Sequence, residues 1–233
     1  MRKSIRIRNH CGLLLSSLSA SVLLNVNSTL ATTAAEYREL GLAYRQQNRF
    51  PEAIAALQTA VNLDPSHLSG RVSLGWTLHL AGQDRAAATL LQETLQINPF
   101  HVPALNALGI IYLVNADPLA AATTHTWAAL LAPDNEIAYY NLSLALQSLE
   151  QYDWAISAAQ KARVLEPDNP HPLVALAIAQ WSQGDQTAAE ATYRQAIALD
   201  ARYSDSSFLN FLNEAGFNSA QISLSQQVLQ AIQ

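Results

Sequence analysis

One spacing governs this chain. Pro65, Pro99, Pro133 and Pro167 stand 34 residues apart, and Gly41, Gly75 and Gly109 keep the same interval, each 24 residues before its proline. Ala53, Ala87, Ala121, Ala155 and Ala189 keep it as well, 12 residues after the glycine position. A fixed period of this length is the mark of stacked helix–turn–helix units. Within one period, Tyr37, Leu40, Gly41 and Tyr44 fall at i, i+3, i+4 and i+7, a single helical stripe. Ala53, Leu57 and Ala60 form the stripe of a second helix. The Gly and Ala positions are small because two antiparallel helices must approach closely there. Proline cannot sit in a helix interior, so it marks the handover between units. One such pair cannot bury its own apolar face, and stacking on neighbours does so.

These residues resemble the tetratricopeptide repeat family. The first unit, 34–67, carries Tyr37, Leu40, Gly41, Tyr44, Ala53, Leu57, Ala60 and Pro65 at the family's aromatic, Leu, Gly, Tyr, Ala, large apolar, Ala and Pro positions. The second, 68–101, has Leu74, Gly75, Leu78, Ala87, Leu91 and Pro99, and the third, 102–135, has Leu105, Leu108, Gly109, Tyr112, Ala121, Ala128 and Pro133. The fourth, 136–169, keeps Tyr139, Leu142, Leu146, Ala155, Ala162 and Pro167 but places Ser143 where glycine is expected. The fifth, 170–203, is degenerate: Leu173, Leu176, Ala189, Tyr193 and Ala196 remain, while Ala177 and Ala201 replace the glycine and the proline. The resemblance implies an all-α solenoid, a right-handed superhelix of antiparallel helix pairs with C-terminal capping helices.

Turn chemistry supports this reading. Asn48, Gly82 and Gly184 share one repeat position, where the first helix ends and a left-handed residue is useful. Asp84, Asp117 and Asp185 are expected N-caps of second helices, and Pro118 suits a first turn. Beyond the fifth unit, 204–233 reads as a cap or a shortened sixth repeat. One helix is expected over Asp205 to Glu214, ended by Gly216. Asn218 and Gln221 form an expected capping box for a last helix reaching Ala231, with Ala220 and Leu224 as second-helix packing positions. The Phe208-Leu209 and Ala215-Gly216-Phe217 stretches resemble the tails of repeat proteins from photosynthetic bacteria.

The amino terminus departs from the rhythm. Arg2, Lys3, Arg6 and Arg8 precede an apolar run from Gly12 to Leu24, and Leu30 separates small residues before a cleavage point expected between Ala31 and Thr32. This layout predicts a signal peptide over 1–31, with an uncleaved membrane anchor as the alternative. The run is shorter than the ~20 residues that span a bilayer. Export would place the chain in a periplasm or a thylakoid lumen. Arg8-Asn9-His10 before Cys11 does not suit lipidation. Cleavage removes the only cysteine and leaves nine basic against 18 acidic residues, a net charge near −9. Such a surface disfavours nucleic acid and anionic lipid. Half of the residues are apolar and 13% are charged, which fits a packed solenoid rather than a disordered chain.

In the family, first helices line a concave groove that holds protein or peptide partners. The resemblance places Arg38, Arg45, Val72, Trp76, His79, Asn106, Tyr140, Gln147, Val174 and Trp181 there, with Trp76, Tyr140 and Trp181 as leading contacts. The lining is apolar with a basic entrance, which implies an apolar peptide or partner helix. The alternative is that superhelical curvature turns some of these positions, Trp76 and Tyr140 among them, into core. The lysine and asparagine clamp that some family members use for acidic tails is absent: Leu42 holds the asparagine position.

Chemistry has no foothold in the pattern. His67, His79, His101, His125 and His171 show no zinc-binding i, i+4 pair. His125 replaces a large apolar residue and reads as a satisfied core histidine. Asn141-Leu142-Ser143 matches a glycosylation acceptor but lies within an expected helix. No enzyme, cofactor, metal or small-molecule substrate is expected. The expected role is a non-catalytic protein-binding module that assembles or maintains an envelope or membrane complex. The alternatives are a self-associating scaffold, hence a homo-oligomer, and an accessory subunit of an envelope enzyme.

Overall fold

Each of the five expected units becomes a pair of helices, 13 residues long in the first member and 14 in the second. The computed structural model describes residues 33–233. The signal segment and its Ala31/Thr32 cleavage point lie outside them. The pairs are α1 (Ala34–Gln46) with α2 (Phe50–Leu63), α3 (Leu68–Leu80) with α4 (Asp84–Ile97), and α5 (Val102–Val114) with α6 (Pro118–Leu131). They continue as α7 (Glu136–Ser148) with α8 (Tyr152–Leu165) and α9 (His171–Gln183) with α10 (Gln186–Leu199). Two 3-10 segments, Ala201–Ser204 and Phe208–Ala215, lead to α11 (Ser219–Ile232). No strand occurs among the described residues. Each first helix packs on its own partner and on the second helix of the preceding pair, which gives a solenoid.

The small position of each first helix faces a side chain of the second. A Cβ on Gly41 would lie 2.5 Å from Leu57 Cγ, one on Gly75 3.0 Å from Leu91 Cγ, and one on Gly109 2.5 Å from His125 Nε2. The glycines therefore set how closely the helices approach. Where Ser143 replaces glycine, the residue at the matching spacing is Ala159, and both are buried. The side chain added on one helix is offset by one shortened on the other.

All five first helices end in the same way. Asn48, Gly82, Ala116, Glu150 and Gly184 take positive φ, from 57° to 98°. The next amide in each case returns to a carbonyl five residues back, at 2.8 to 3.0 Å: Arg49 to Tyr44, Gln83 to Leu78, Asp117 to Tyr112, Gln151 to Leu146 and Asp185 to Gln180. This is a Schellman closure. The repeat geometry forces it even on Ala116 and Glu150, whose side chains disfavour it and whose residue types carry no turn signal.

Four sequence expectations need correction. Asp117 and Asp185 cap α6 and α10 through the amides of Ala120 and Ala188, but Asp84 stands one residue later in its repeat, inside α4, and does not cap it. Residues 205–214 do not form one helix. The 3-10 segment begins at Phe208, after a turn in which Asp205 accepts from Ser207. The Asn218/Gln221 capping box does form, yet α11 buries Gln221, Ser225, Val228 and Leu229 rather than Ala220. This helix packs on both α9 and α10, the placement of a first helix rather than a second. Finally, His125 is fully buried but not satisfied: neither ring nitrogen has a hydrogen-bond partner among the described residues.

Two consequences follow for stability. Ala116→Gly and Glu150→Gly relieve left-handed strain of about 1–2 kcal/mol against an unfolded-state cost of about 0.4–1. Each is expected to raise the urea-unfolding midpoint by a net stabilisation of about 1 kcal/mol. Burial drives the His125 pKa from 6.5 down to about 4, opposed only in part by the adjacent Gly109 backbone. The unfolded chain therefore takes up a proton that the native state refuses. Stability is full above about pH 6.5 and falls by roughly 3 kcal/mol as pH drops toward 4. His125→Leu, which restores the Gly–Leu pairing of the first two units, should flatten that part of the pH profile in denaturant titrations at pH 7 and 4.5.

Candidate concave binding surface

The first helices line the inner face, and the chain divides that face in two. Over α7 and α9 it is occupied by the C-terminal segment. Tyr140 is only 8% exposed, and its hydroxyl donates to the Ala215 carbonyl at 2.5 Å. Its ring lies 6.2 Å from that of Phe217. Gln221 Nε2 donates to the Leu144 carbonyl and to Gln147 Oε1, each at 2.9 Å, while Gln147 Nε2 donates to Ser182 Oγ at 3.2 Å. A Cβ added at Gly216 would come into van der Waals contact with Leu113, Asn141 and Leu144. Val174 is fully buried in the cluster that holds Leu209, Leu212, Phe217, Val228 and Leu229.

The sequence assignment of Tyr140, Gln147 and Val174 to a partner-binding groove is therefore corrected. The chain's own residues 209–229 cover them. Trp181 is half-buried against the same cluster. Sequence reading missed this because the covering residues lie about 70 positions away, as with Gln221 and Gln147 at a separation of 74. A weak signal did exist in Phe217 and in the capping box, which mark a packed tail.

Over α1, α3 and α5 no segment among the described residues covers the concave face. Six of the expected residues gather there: Arg38, Arg45, Val72, Trp76, His79 and Asn106. Val72 and Trp76 are partly buried against the core of the first three units. The His79 ring lies 5.0 Å from the Trp76 ring, and its Nδ1 is 2.6 Å from Asp84 Oδ1. Asp84 Oδ2 accepts from Asn115 Nδ2 at 2.8 Å, tying the second unit to the third. Those hydrogen bonds hold the Asp84 pKa down despite the opposing effect of its burial. One position of register made this difference: Asp84 is not consumed as a cap and is free to reach the inner edge.

The arginines differ. Arg38 lies over the first turn of α3, with Cδ 3.2 Å from where a Gly70 Cβ would sit, and its Nη1 is 3.7 Å from Asp64 Oδ2 without a hydrogen bond. It joins two units as much as it faces a ligand. Arg45, in the last turn of α1, is partly buried, and that burial lowers its pKa. Asn106 accepts from Asn135 Nδ2 at 3.1 Å. Among the described residues no group of three or more His, Cys, Asp or Glu could hold a metal ion, and no helix is long and apolar enough to cross a membrane.

Near the covered half, Glu136 Oε1 is buried without a hydrogen bond. Burial, then the charge of Glu166, pushes its pKa from 4.5 up to about 7.

Comparison with known proteins places this architecture. The family model described as "Tetratricopeptide repeat" matches residues 38–102 and 140–207, more than half of the chain. The Hsp70-Hsp90 organizing protein of Triticum aestivum is 38% identical over 73 residues, 31% of this chain and 13% of its own length. The BBSome complex member BBS4 of Bos taurus is 25% identical over 174 residues, 75% of this chain and 32% of its own. The chain thus spans less than a third of either relative. Among solved structures, MamA from Desulfovibrio magneticus RS-1 (residues 41 to the end) superposes with a TM-score of 0.67 at 22% identity, covering 74% of this chain and 98% of that one. TTC0263, a thermophilic repeat protein of Thermus thermophilus, gives 0.60 at 18% identity, covering 78% and 98%. These structural likenesses concern the fold.

The pH behaviour of Glu136 is open to direct test. A carboxyl whose folded pKa is raised from 4.5 to about 7 contributes stability at low pH that is lost as pH rises through 7. Glu136→Gln should be more stable than the parent at pH 8 and equal to it near pH 4, read from urea midpoints at the two pH values.

Proposed function

Because this chain belongs to the tetratricopeptide repeat family, whose members typically mediate protein–protein interaction, we propose that it is a non-catalytic scaffold that holds a peptide or helix of a protein partner on the open concave face of α1, α3 and α5. One observation carries the reading: among the described residues no segment covers the inner face over the first three units, which presents Val72, Trp76 and His79 beside two arginines, whereas the C-terminal segment fills the remainder. Partly exposed aromatic and apolar side chains on a rigid concave surface are the usual anchors of a peptide-binding groove. The basic and apolar amino terminus supports export, and with it a role in assembling an envelope or membrane complex. The wheat and bovine relatives, named as an organizing protein and a complex member, are compatible with a scaffold role.

A second reading, self-association, is favoured by the convex face. There Trp154 (69% exposed) and Leu130 (67%) flank an apolar cleft of about 530 Å³ with Tyr139, Leu142 and Leu146. A patch of this kind on an isolated chain marks an interaction surface.

Both readings meet in one experiment. Trp76→Ala removes a central aromatic anchor worth about 2 kcal/mol or more, so capture of the partner from envelope extract should fall roughly 30-fold. Circular dichroism checks that the variant stays helical, and Leu80→Glu, at an exposed position of the same face, serves as an independent variant. Trp154→Ala should leave capture intact. If instead the parent is a stable oligomer by light scattering that only Trp154→Ala dissociates, and capture ignores Trp76, self-association replaces groove binding.

A further inference from the structure

We propose that the ligand of the open half-groove is a peptide with an acidic residue at its α1 end and a bulky apolar side chain at its α5 end. This rests on the concave-face reading above and adds its chemistry and direction.

The acidic end follows from charge. None of the groove positions of α1, α3 and α5 carries a carboxylate, although the whole chain has a formal net charge of −5. Asp84, a carboxylate that reaches this edge, has both oxygens committed, to His79 and to Asn115. Arg38 has Asp64 at 3.7 Å. The Arg45 guanidinium has neither an ion pair nor a hydrogen bond among the described residues. The C-terminal end of α1 favours a cation there, and no acceptor among the described residues takes up the donors of the guanidinium fork. A carboxylate arriving at this point meets a partly desolvated cation that no described carboxylate already pairs.

The apolar end follows from shape. Where the C-terminal segment stops the open groove, it leaves a cleft of about 380 Å³ between Leu113, Val114 and Pro118 on one side and Phe217 and Asn218 on the other. That exceeds the ~300 Å³ at which ligand pockets begin. No charged residue lines it; Ser148, Asn213 and Asn218 form its polar rim. Val114 is 45% exposed there, an apolar surface facing an unfilled space. The two ends of the half-groove therefore have opposite character, which gives a bound peptide one preferred direction. The guanidinium lies at Arg45, a groove position different from those of the lysine and asparagine clamp, so the recognition is of an acidic side chain separated along the peptide from a large apolar one.

Phage-displayed random peptides panned on the full-length chain test this, with synthetic versions of the selected peptides then titrated by fluorescence anisotropy at low and high salt. The selected peptides should pair Asp or Glu with a separated large apolar residue. Arg45→Gln should weaken them about fivefold and flatten the salt dependence, since a partly exposed ion pair contributes on the order of 1 kcal/mol. Val114→Glu should abolish the apolar preference and keep the acidic one. Peptides that depend on Trp76 but lack acidic enrichment, or whose acidic enrichment survives Arg45→Gln, overturn this inference and leave concave-face binding standing. If no peptide is retained in a Trp76-dependent way, the underlying reading fails.

Discussion

The distance between the two helices of each unit is the constraint from which the rest follows. It is set where a small residue on the first helix meets the facing side chain of the second: Gly41 with Leu57, Gly75 with Leu91, Gly109 with His125. A Cβ at any of these points would press on a neighbour at 3.0 Å or less. Interiors pack as densely as organic crystals, so such an excess shifts whole helices rather than one side chain. Because the small position recurs in each unit, the units close on the same kind of contact, and stacking them places the first helices along one inner face.

The departures from regularity are where this chain acquires its individual properties. Ser143 with Ala159 keeps the fit by a compensating exchange of volume. His125 keeps the volume but places an unpaired imidazole in an apolar site, which makes stability depend on protonation. Asp84, one residue out of step with Asp117 and Asp185, leaves its capping role and joins the second unit to the third through His79 and Asn115. Ala201 in place of the recurring proline lets the chain leave the fifth pair through a 3-10 turn, anchored by Tyr193, whose hydroxyl donates to the Tyr203 carbonyl at 3.2 Å.

That exit has the largest consequence for binding. From it the chain returns across α7 and α9, and α11 then packs where the first helix of a sixth pair would stand. A solenoid end exposes an apolar face that needs cover. Here the cover also reaches inward, so that Tyr140 and Gln147 serve the fold instead of a ligand. The open surface that remains is short, bounded by Arg45 at one end and by the Phe217 cleft at the other.

Much of this was legible from the 34-residue period alone. The helix pairs, the small positions, the left-handed turns at Asn48, Gly82 and Gly184, and the capping box at Asn218 and Gln221 depend on residues near one another in the chain, so local spacing encodes them. The inner-face positions were expected from the family resemblance, and Tyr140, Gln147 and Val174 among them proved to be covered by the chain itself. What local spacing cannot encode is the contact between Gln221 and Gln147, or between Tyr140 and Ala215, because no periodicity links segments so far apart. Only the packed structure decided which half of the inner face remained free. It also decided that Ala116 and Glu150 must take the left-handed turn, since stacking imposes one turn geometry on every unit whatever residue stands there.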